Sequence, residues 1–306
     1  MRVVFFGSPE FALPTLEALS ASEHEVALVV SQPARPVGRH ARPSDPPVAA
    51  RAKELALPVY QPETLRGEEP LARLASAAAD LFVVVAYGRI LGPRTLSLPR
   101  LMAVNLHGSV LPRWRGASPV QAALLAGDPE TGVSIMKMDA GMDTGDVLAS
   151  LRTPVLPGED APALSERLAR LGAGLLLETL PGIERGTAVA VPQPSEGATL
   201  CPKVRREDGR VDWGSPAPAL VRRDRAFRPW PGLFAFRSGR RVKLSGLTAV
   251  EASGPAGTVL TAGAALVLAC GEGAVSVSSL TAEGRRELPA PEFVRGERVA
   301  AGEVWE

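Results

Sequence analysis

The chain has 306 residues, which is long for one hydrophobic core and predicts two domains. A hydrophobic content of 45% and a charged content of 22% are ordinary for a soluble globular enzyme and argue against an intrinsically disordered protein. No apolar run approaches the roughly 18 residues of a transmembrane helix, and the short apolar start lacks the form of a signal peptide.

The charge distribution and the cysteine content further limit the class of protein. The net charge of +1 hides two basic segments: residues 31–53 carry five basic side chains against one acidic, and residues 205–243 carry eleven against four. Either segment could bind a polyanion or be a solvated arginine-rich surface. Cys201 and Cys270 form no metal-ligand spacing, which predicts reduced thiols in a cytosolic protein.

Apolar strands alternate with helices in the first third of the chain. Strands are predicted at residues 2–7, 25–31, 57–60, 80–85 and 101–106, and helices at 9–19, 48–55 and 67–78. Ser8 is the expected cap of the first helix, with Pro9 at its first position. This alternation predicts an α/β fold with a parallel sheet covered on both faces. A dinucleotide site is not expected, because no G-x-G-x-x-G follows the first strand.

A proline-rich segment, residues 32–50, interrupts this pattern. Its five prolines are incompatible with a regular helix or a central strand, so a long loop is predicted. The arginines in the loop make it a candidate clamp for an anionic partner.

The pattern changes near residue 206. Before it, helices at 119–125 and 161–178, a strand at 132–138 and a proline-bearing connector at 192–202 are predicted. After it, a helix at 216–227 precedes short strands at 240–246, 247–250, 257–260, 265–270 and 274–280. Such strands, split by glycines, predict a small β-barrel. Trp230, which lies between prolines, is predicted to pack, whereas Trp114 could pack or stack on a base.

The candidate chemistry lies between residues 105 and 146. The strand 101–106 ends at the carboxyl edge of the predicted sheet, where open α/β sheets bind ligands. Asn105 and His107 alternate with Leu106 and so face the same side of the strand. A glycine-bearing turn could return the Asp143 carboxylate to them. An amide that stabilises an oxyanion, and a histidine oriented by a carboxylate, suit acyl transfer or addition at a carbonyl. Because no serine or cysteine has the context of an activated nucleophile, direct transfer is favoured.

Each of these residues also has a structural explanation. His107 could be a satisfied core or loop histidine, and Asp143 an Asx-turn residue. A metal site is poorly supported, since one histidine and scattered carboxylates give no ligand pattern. From the residues alone, this stretch indicates acyl or formyl transfer without choosing a substrate.

The stretch NLHGSVLPRWRGA, residues 105–117, resembles the signature of the methionyl-tRNA formyltransferases, within the formyltetrahydrofolate-dependent formyltransferase family. MDAGMDTGD, residues 138–146, is similar to the second half of that signature. Further similar segments are FGSPEFA, QPARPVGR, VVVAYGRIL, KVRREDGRVDW and AFRPWP. Together they follow the family's order over most of residues 1–245.

The resemblance implies a Rossmann-like formyltransferase domain at 1–206, carrying the basic loop 32–50, and an OB-like tRNA-binding barrel at 207–306. It implies transfer of a formyl group from 10-formyltetrahydrofolate to the α-amino group of methionine on initiator methionyl-tRNA. The family's catalytic triad falls on Asn105, His107 and Asp143. A cytoplasmic monomer without metal or membrane attachment is expected.

Binding residues follow in the same way. The family's folate-contacting segments fall on Ser109, Val110, Leu111 and Pro112 and on Tyr87, Gly88, Arg89, Ile90 and Leu91. Arg39 falls on the family's tRNA-contacting arginine. The other predicted tRNA contacts are Arg35 and Arg42 in the first basic segment, Arg205 and Arg206 in the second, and Lys203 just before it.

Three other activities compete with this one. A sibling formyltransferase acting on a nucleotide-linked amine would keep the triad, but it needs neither the loop 32–50 nor a basic C-terminal part. A formyltetrahydrofolate hydrolase needs no acceptor-binding domain. A non-catalytic RNA-binding protein has no reason to place Asn, His and Asp at a strand edge.

Overall fold

The computed structural model describes residues 1–37 and 42–306. These residues form two compact units. The first comprises Met1–Pro119, Glu130–Pro154 and Leu164–Pro202, and the second comprises Val120–Pro129, Val155–Ala163 and Lys203–Glu306. The long continuous part of the second unit therefore begins at Lys203, three residues before the boundary expected from the sequence.

Strands and helices alternate through the first two-thirds of the chain. The strands are β1 (Arg2–Gly7), β2 (Glu25–Val30), β3 (Arg35–Val37), β4 (Arg42–Ser44), β5 (Val59–Tyr60), β6 (Leu81–Val85), β7 (Met102–His107), β8 (Arg115–Gly116), β9 (Glu130–Lys137), β10 (Val147–Pro154) and β11 (Leu200–Cys201). The helices are α1 (Leu13–Ser20), α2 (Pro47–Glu54), α3 (Glu68–Ala75), α4 (Pro93–Leu96), α5 (Pro119–Ala126) and α6 (Ala161–Glu184).

The first unit is built on a sheet with the order β10-β9-β7-β6-β1-β2-β5. Strands β7, β6, β1, β2 and β5 run parallel, whereas β9 and β10 add an antiparallel edge. The predicted parallel sheet is thus confirmed. β1 and β6 are continuous apolar runs because both faces of the sheet are covered, so that every residue from Val3 to Phe6 is fully buried.

Two details of the first unit differ from the prediction. Ser8 caps no helix: the chain makes a 3-10 turn at Glu10–Ala12 before α1 begins. The Ser8 hydroxyl instead accepts a hydrogen bond from Gln32 N at 3.2 Å. The described residues of the segment 32–50 add no strand to the central sheet, as predicted, but they are not an open loop, because β3 and β4 pair in antiparallel fashion and α2 begins at Pro47. Arg39 lies outside the described residues.

The second unit is mainly an antiparallel sheet. Its elements from Lys203 onward are α7 (Ala217–Ala226), β12 (Leu233–Arg237), β13 (Arg240–Val250), β14 (Val259–Ala262), β15 (Leu266–Ala269), β16 (Ala274–Ala282), β17 (Leu288–Pro289) and α8 (Ala290–Glu297). The sheet order is β12-β13-β16-β15-β14, with β17 on β16. The predicted strands 240–246 and 247–250 are one strand, β13.

The C-terminal residues connect the two ends of this sheet. Glu306 and Phe236 of β12 exchange two backbone hydrogen bonds of 2.6 and 2.8 Å. Glu303 accepts one from Val259 of β14 at 2.8 Å. The sheet therefore closes on itself through the chain's last residues, as a barrel requires.

Two further findings concern the surface. Trp230 is 53% exposed, so the prediction that it packs is wrong; the prolines on either side shape the backbone but do not cover the ring. Among the described residues, no helix combines the length and apolar character needed to span a membrane.

Candidate active site

Asn105, His107 and Asp143 meet at the carboxyl end of β7. The Oδ1 atom of Asp143 lies 3.5 Å from Asn105 Nδ2, and its Oδ2 atom lies 3.7 Å from His107 Nδ1. Oδ2 also accepts a hydrogen bond from Gly116 N at 2.8 Å. The carboxylate therefore faces an amide, an imidazole and a backbone N–H at once, in a site where His107 is 6% exposed.

The orientation of His107 is set by the Trp114 carbonyl. His107 Nε2 lies 2.8 Å from Trp114 O. Because a carbonyl oxygen only accepts, Nε2 is the nitrogen that carries a proton in the neutral ring. Nδ1 then has the free lone pair and faces the site and Asp143. The imidazole can accept a proton at Nδ1, and Asp143 is placed to stabilise the cation that results.

The loop that carries Asp143 is held in a compact turn. The Asp139 carboxylate accepts hydrogen bonds from Gly141 N and from the Thr144 hydroxyl, each at 2.9 Å. Gly145 is needed because a Cβ there would lie 1.8 Å from Lys137 O. Asp143 itself has a φ of 54°, a left-handed conformation that is costly for a non-glycine residue. Such a conformation persists only where neighbouring contacts fix it.

Hydrogen bonds to Ser134 hold the backbone of the predicted folate segment Ser109–Pro112 in place. The buried Ser134 hydroxyl donates to Ser109 O at 2.9 Å and accepts from Leu111 N at 3.1 Å. Ser109 and Leu111 are buried, whereas Val110 and Pro112 are partly exposed. The partly exposed side chains of this segment are therefore those of Val110 and Pro112.

The second predicted folate segment, residues 87–91, follows β6 and also contains both exposed and buried side chains. Ile90 is 83% exposed, but Tyr87 and Leu91 are 1% and 3% exposed and belong to the core. Burial raises the pKa of the Tyr87 phenol, which packs edge-on against Phe6. The side chains of Tyr87 and Leu91 thus lie in the core beneath this segment.

Arg89 also has a structural partner, because its guanidinium donates to Pro62 O at 3.0 Å and to Glu63 O. A cavity of about 570 Å³ lies on this side of the first unit and is lined by residues 63–67, Leu71, Arg89, Ile90 and 92–95. This volume is in the range of small-molecule sites.

The connector 192–202, in which the sequence indicates no function, borders the site. β11 pairs in parallel with β8, next to Trp114. Thr199 Oγ1 accepts from Trp114 N at 2.8 Å. Gln193 Nε2 donates to Asp143 O at 2.9 Å and to Gly145 O at 2.7 Å. These residues carry no periodic or motif signal, so only the fold brings them to the site.

Comparison with known proteins assigns the family. Residues 1–180 match the family described as "Formyl transferase", and residues 203–298 match "Formyl transferase, C-terminal domain". The chain belongs to the formyl transferase family.

Two relatives that are similar over nearly their whole length carry the same name. A protein from Thermus thermophilus named "Methionyl-tRNA formyltransferase" is 46% identical over 99% of this chain and 98% of its own length. A Paracoccus denitrificans protein of the same name is 45% identical over 97% of each. A crystal structure of HypX from Aquifex aeolicus in complex with tetrahydrofolic acid has a TM-score of 0.67 and 20% identity, over 99% of this chain and 48% of that one. At that identity the likeness shows the formyl transferase fold alone.

The residues predicted to contact tRNA belong to two segments that are far apart in the sequence. Arg35 is exposed on β3, and Arg42 begins β4. Lys203, Arg205 and Arg206 are exposed at the start of the long C-terminal part. The segment 205–243 is less available than its charge suggests, because Arg228 and Arg237 are paired with Asp224 and Glu303, and Arg223 donates to backbone carbonyls.

Two other groups of titratable residues are the two cysteines and one set of potential metal ligands. Cys201 and Cys270 are free thiols, as predicted, and burial raises the pKa of both, that of Cys270 to about 11. In the described part of the chain, one set of potential metal ligands, Glu23, His24 and Glu184, has atoms within 4.8 Å of one another. The Met1 ammonium already contacts His24 Nδ1 at 3.1 Å and Glu184 at 3.4 Å.

Proposed function

We propose that the chain transfers a formyl group from 10-formyltetrahydrofolate to the α-amino group of methionine on initiator methionyl-tRNA. The observation that carries this proposal is the convergence of Asn105, His107 and Asp143 on one point at the carboxyl edge of the sheet. Relatives of 45–46% identity over nearly the full length, both named methionyl-tRNA formyltransferase, support this acceptor over a nucleotide-linked amine.

The chemistry follows from the three side chains. The methionyl amine attacks the formyl carbon, a new C–N bond forms, and negative charge develops on the formyl oxygen. Asn105 Nδ2 donates a hydrogen bond to that oxygen. His107 Nδ1 accepts the proton that the amine loses, and Asp143 stabilises the imidazolium. The bond from the formyl carbon to N10 of the folate then breaks, and the His107 imidazolium gives its proton to N10.

The donor is proposed to lie between the two folate segments. Val110 and Pro112 offer partly exposed apolar surface beside the triad. Gly88 and Ile90 are exposed just after β6. The neighbouring cavity combines apolar Leu65, Leu71 and Ile90 with basic Arg66. That composition suits a ligand with an apolar body and a carboxylate-bearing tail.

The acceptor is proposed to be held by phosphate contacts. We assign these contacts to Arg35, Arg39 and Arg42 in the segment 32–50, and to Lys203, Arg205 and Arg206 near the start of the C-terminal part. Residues 1–206 would then be the catalytic domain and 207–306 the tRNA-binding domain of a cytoplasmic monomer. Because neutralising phosphates releases counterions, KM for tRNA should rise steeply with salt, whereas KM for the folate should change little.

The test is an acceptor assay. Purified enzyme is given 10-formyltetrahydrofolate labelled in the formyl carbon, with charged initiator tRNA, uncharged initiator tRNA, elongator methionyl-tRNA or buffer alone. We expect N-formylmethionine from charged initiator tRNA, with little label transferred in the other reactions. Release of labelled formate without tRNA would indicate a hydrolase and contradict the proposal, as would a KM for tRNA that does not respond to salt.

A further inference from the structure

One side chain outside the triad contacts both loops that meet at Asp143. Gln193 is half-buried in the connector 192–202. Its amide nitrogen donates to Asp143 O at 2.9 Å and to Gly145 O at 2.7 Å. Its amide oxygen accepts from Arg115 Nε at 3.0 Å. Both amide hydrogens and the carbonyl are therefore used, which only a glutamine or asparagine amide can do.

These contacts close a ring around the catalytic carboxylate. Arg115 is followed by Gly116, whose N–H binds Asp143 Oδ2 at 2.8 Å. Gln193 joins Arg115 back to the Asp143 main chain. The carboxylate is thus fixed at its side-chain end by Gly116 and at its backbone end by Gln193. The second bond matters because Asp143 has a φ of 54°, which neighbours must maintain.

The sequence around Gln193 suits a rigid support. Pro192 and Pro194 flank it, and each fixes its own φ and restricts the residue before it. The backbone bond Val147 N to Val191 O, 2.8 Å long, ties the connector to β10 just before this point. A side chain held on such a backbone loses little further freedom when it binds.

We infer that Gln193 is a positioning residue for formyl transfer, which holds the Asp143 carboxylate in place against His107 Nδ1 through the Asp143 main chain. This inference rests on the proposed function. Gln193 contacts no triad side chain, so its effect passes through Asp143. Freeing the loop to move by about 1 Å should lower kcat about 10- to 100-fold and leave KM for both substrates nearly unchanged.

Three substitutions separate the possible roles. Gln193→Ala removes all three hydrogen bonds. Gln193→Glu keeps the shape and the bond to Arg115 but has no N–H to donate to Asp143 O and Gly145 O, so it should lose activity at least as strongly as Gln193→Ala. Ser195→Glu places the same charge on an exposed position of the connector and serves as the matched control.

The experiment is a double-mutant cycle with Asp143→Asn, measured as single-turnover formyl transfer to charged initiator tRNA. We expect Gln193→Ala to lower the rate at least 10-fold in the wild-type background and less than threefold in the Asp143→Asn background. Amide exchange of Gly116 should be faster in Gln193→Ala, and Ser195→Glu should match the wild type. Tm of all variants should stay within a few degrees of the wild-type value.

The outcomes are distinguishable from failure of the proposed function. A wild-type enzyme that formylates no tRNA contradicts the proposed function itself. An active wild-type enzyme contradicts this inference if Gln193→Glu keeps full rate, because Arg115 would then be the contact that matters. Equal losses from Gln193→Ala in both backgrounds, or losses confined to KM or Tm, would also overturn it.

Discussion

Replacing Asp143 with asparagine removes the charge at the centre of the site while keeping the side chain's size. Asp143 offers two oxygens to two N–H donors, Gly116 N at 2.8 Å and Asn105 Nδ2 at 3.5 Å. Asparagine has one oxygen and one NH₂ group, so one of these donors must face another donor. The larger loss concerns His107, whose Nδ1 lies 3.7 Å from the carboxylate.

The size of that loss can be worked from the distance. Two unit charges separated by 3.7 Å attract by about 4 to 5 kcal/mol at the effective dielectric of about 20 that suits partly buried sites. This attraction is absent while the ring is neutral, and only the part that has developed in the transition state, where the proton is partly transferred, accelerates the reaction. We therefore expect Asp143→Asn to lower kcat about 100- to 1000-fold.

The assay is single-turnover formyl transfer at saturating donor and tRNA, with Tm measured in parallel. Glu196→Gln is the control, since it removes one exposed carboxylate of the connector and should leave the rate unchanged. KM for the folate donor should stay within about threefold of wild type, because Asp143 is assigned to the chemical step. If kcat of Asp143→Asn stayed within threefold of the wild-type value, the role assigned to the Asp143 carboxylate would be contradicted.

Three further predictions concern the scaffold of the protein. Gly116→Ala should destabilise the fold by about 2–3 kcal/mol and lower kcat, because Gly116 has a φ of +122° and its new Cβ would lie 2.3 Å from Cys201 O. Denaturant unfolding measures the first effect, and a variant as stable as wild type would show that β8 and β11 are not tightly paired. Ser134→Ala should leave Leu111 N and Ser109 O without their partner, costing about 1–3 kcal/mol and raising KM for the folate about 3- to 10-fold; an unchanged folate KM would contradict the role given to residues 109–112. With a pKa near 11, Cys270 is about 0.1% thiolate at pH 8, so it should react slowly with a disulfide reagent until the protein is unfolded. Rapid labelling of the native protein would show that the segment after β15 opens readily.

The central sheet could be predicted because its signal is local. β1 and β6 are apolar runs ended by glycine or a turn, and those runs are visible without knowledge of the partners. That Asn105 and His107 face the same side could be predicted from the period-2 alternation of β7. Asp143 is different, since nothing near it distinguishes a catalytic carboxylate from a turn residue, and its assignment depends on the resemblance.

The parts that could not be predicted depend on contacts distant in sequence. Thr199 and Gln193 reach the site from 85 and 50 residues away. β8 and β11 have only two residues each, which is too short to show any periodicity. The arginines of 205–243 look like one basic patch in the sequence, but Arg228 is paired with Asp224, four residues before it, and Arg237 is paired with Glu303, which only the fold brings near. Ser8 has the residue type of a helix cap, yet a 3-10 turn takes the place of the first helical turn.

The most direct test of the proposed formyl transfer follows the labelled formyl carbon in parallel reactions with the wild-type enzyme and with His107→Gln. Each enzyme receives labelled 10-formyltetrahydrofolate and charged initiator tRNA, and the aminoacyl ester is then hydrolysed. We expect the wild type to place the label on the methionine nitrogen in a one-to-one ratio to the tetrahydrofolate released. His107→Gln should be at least about 100-fold slower with the donor still bound. Label recovered as formate, or a His107→Gln rate equal to that of the wild type, would contradict the assignment of this site.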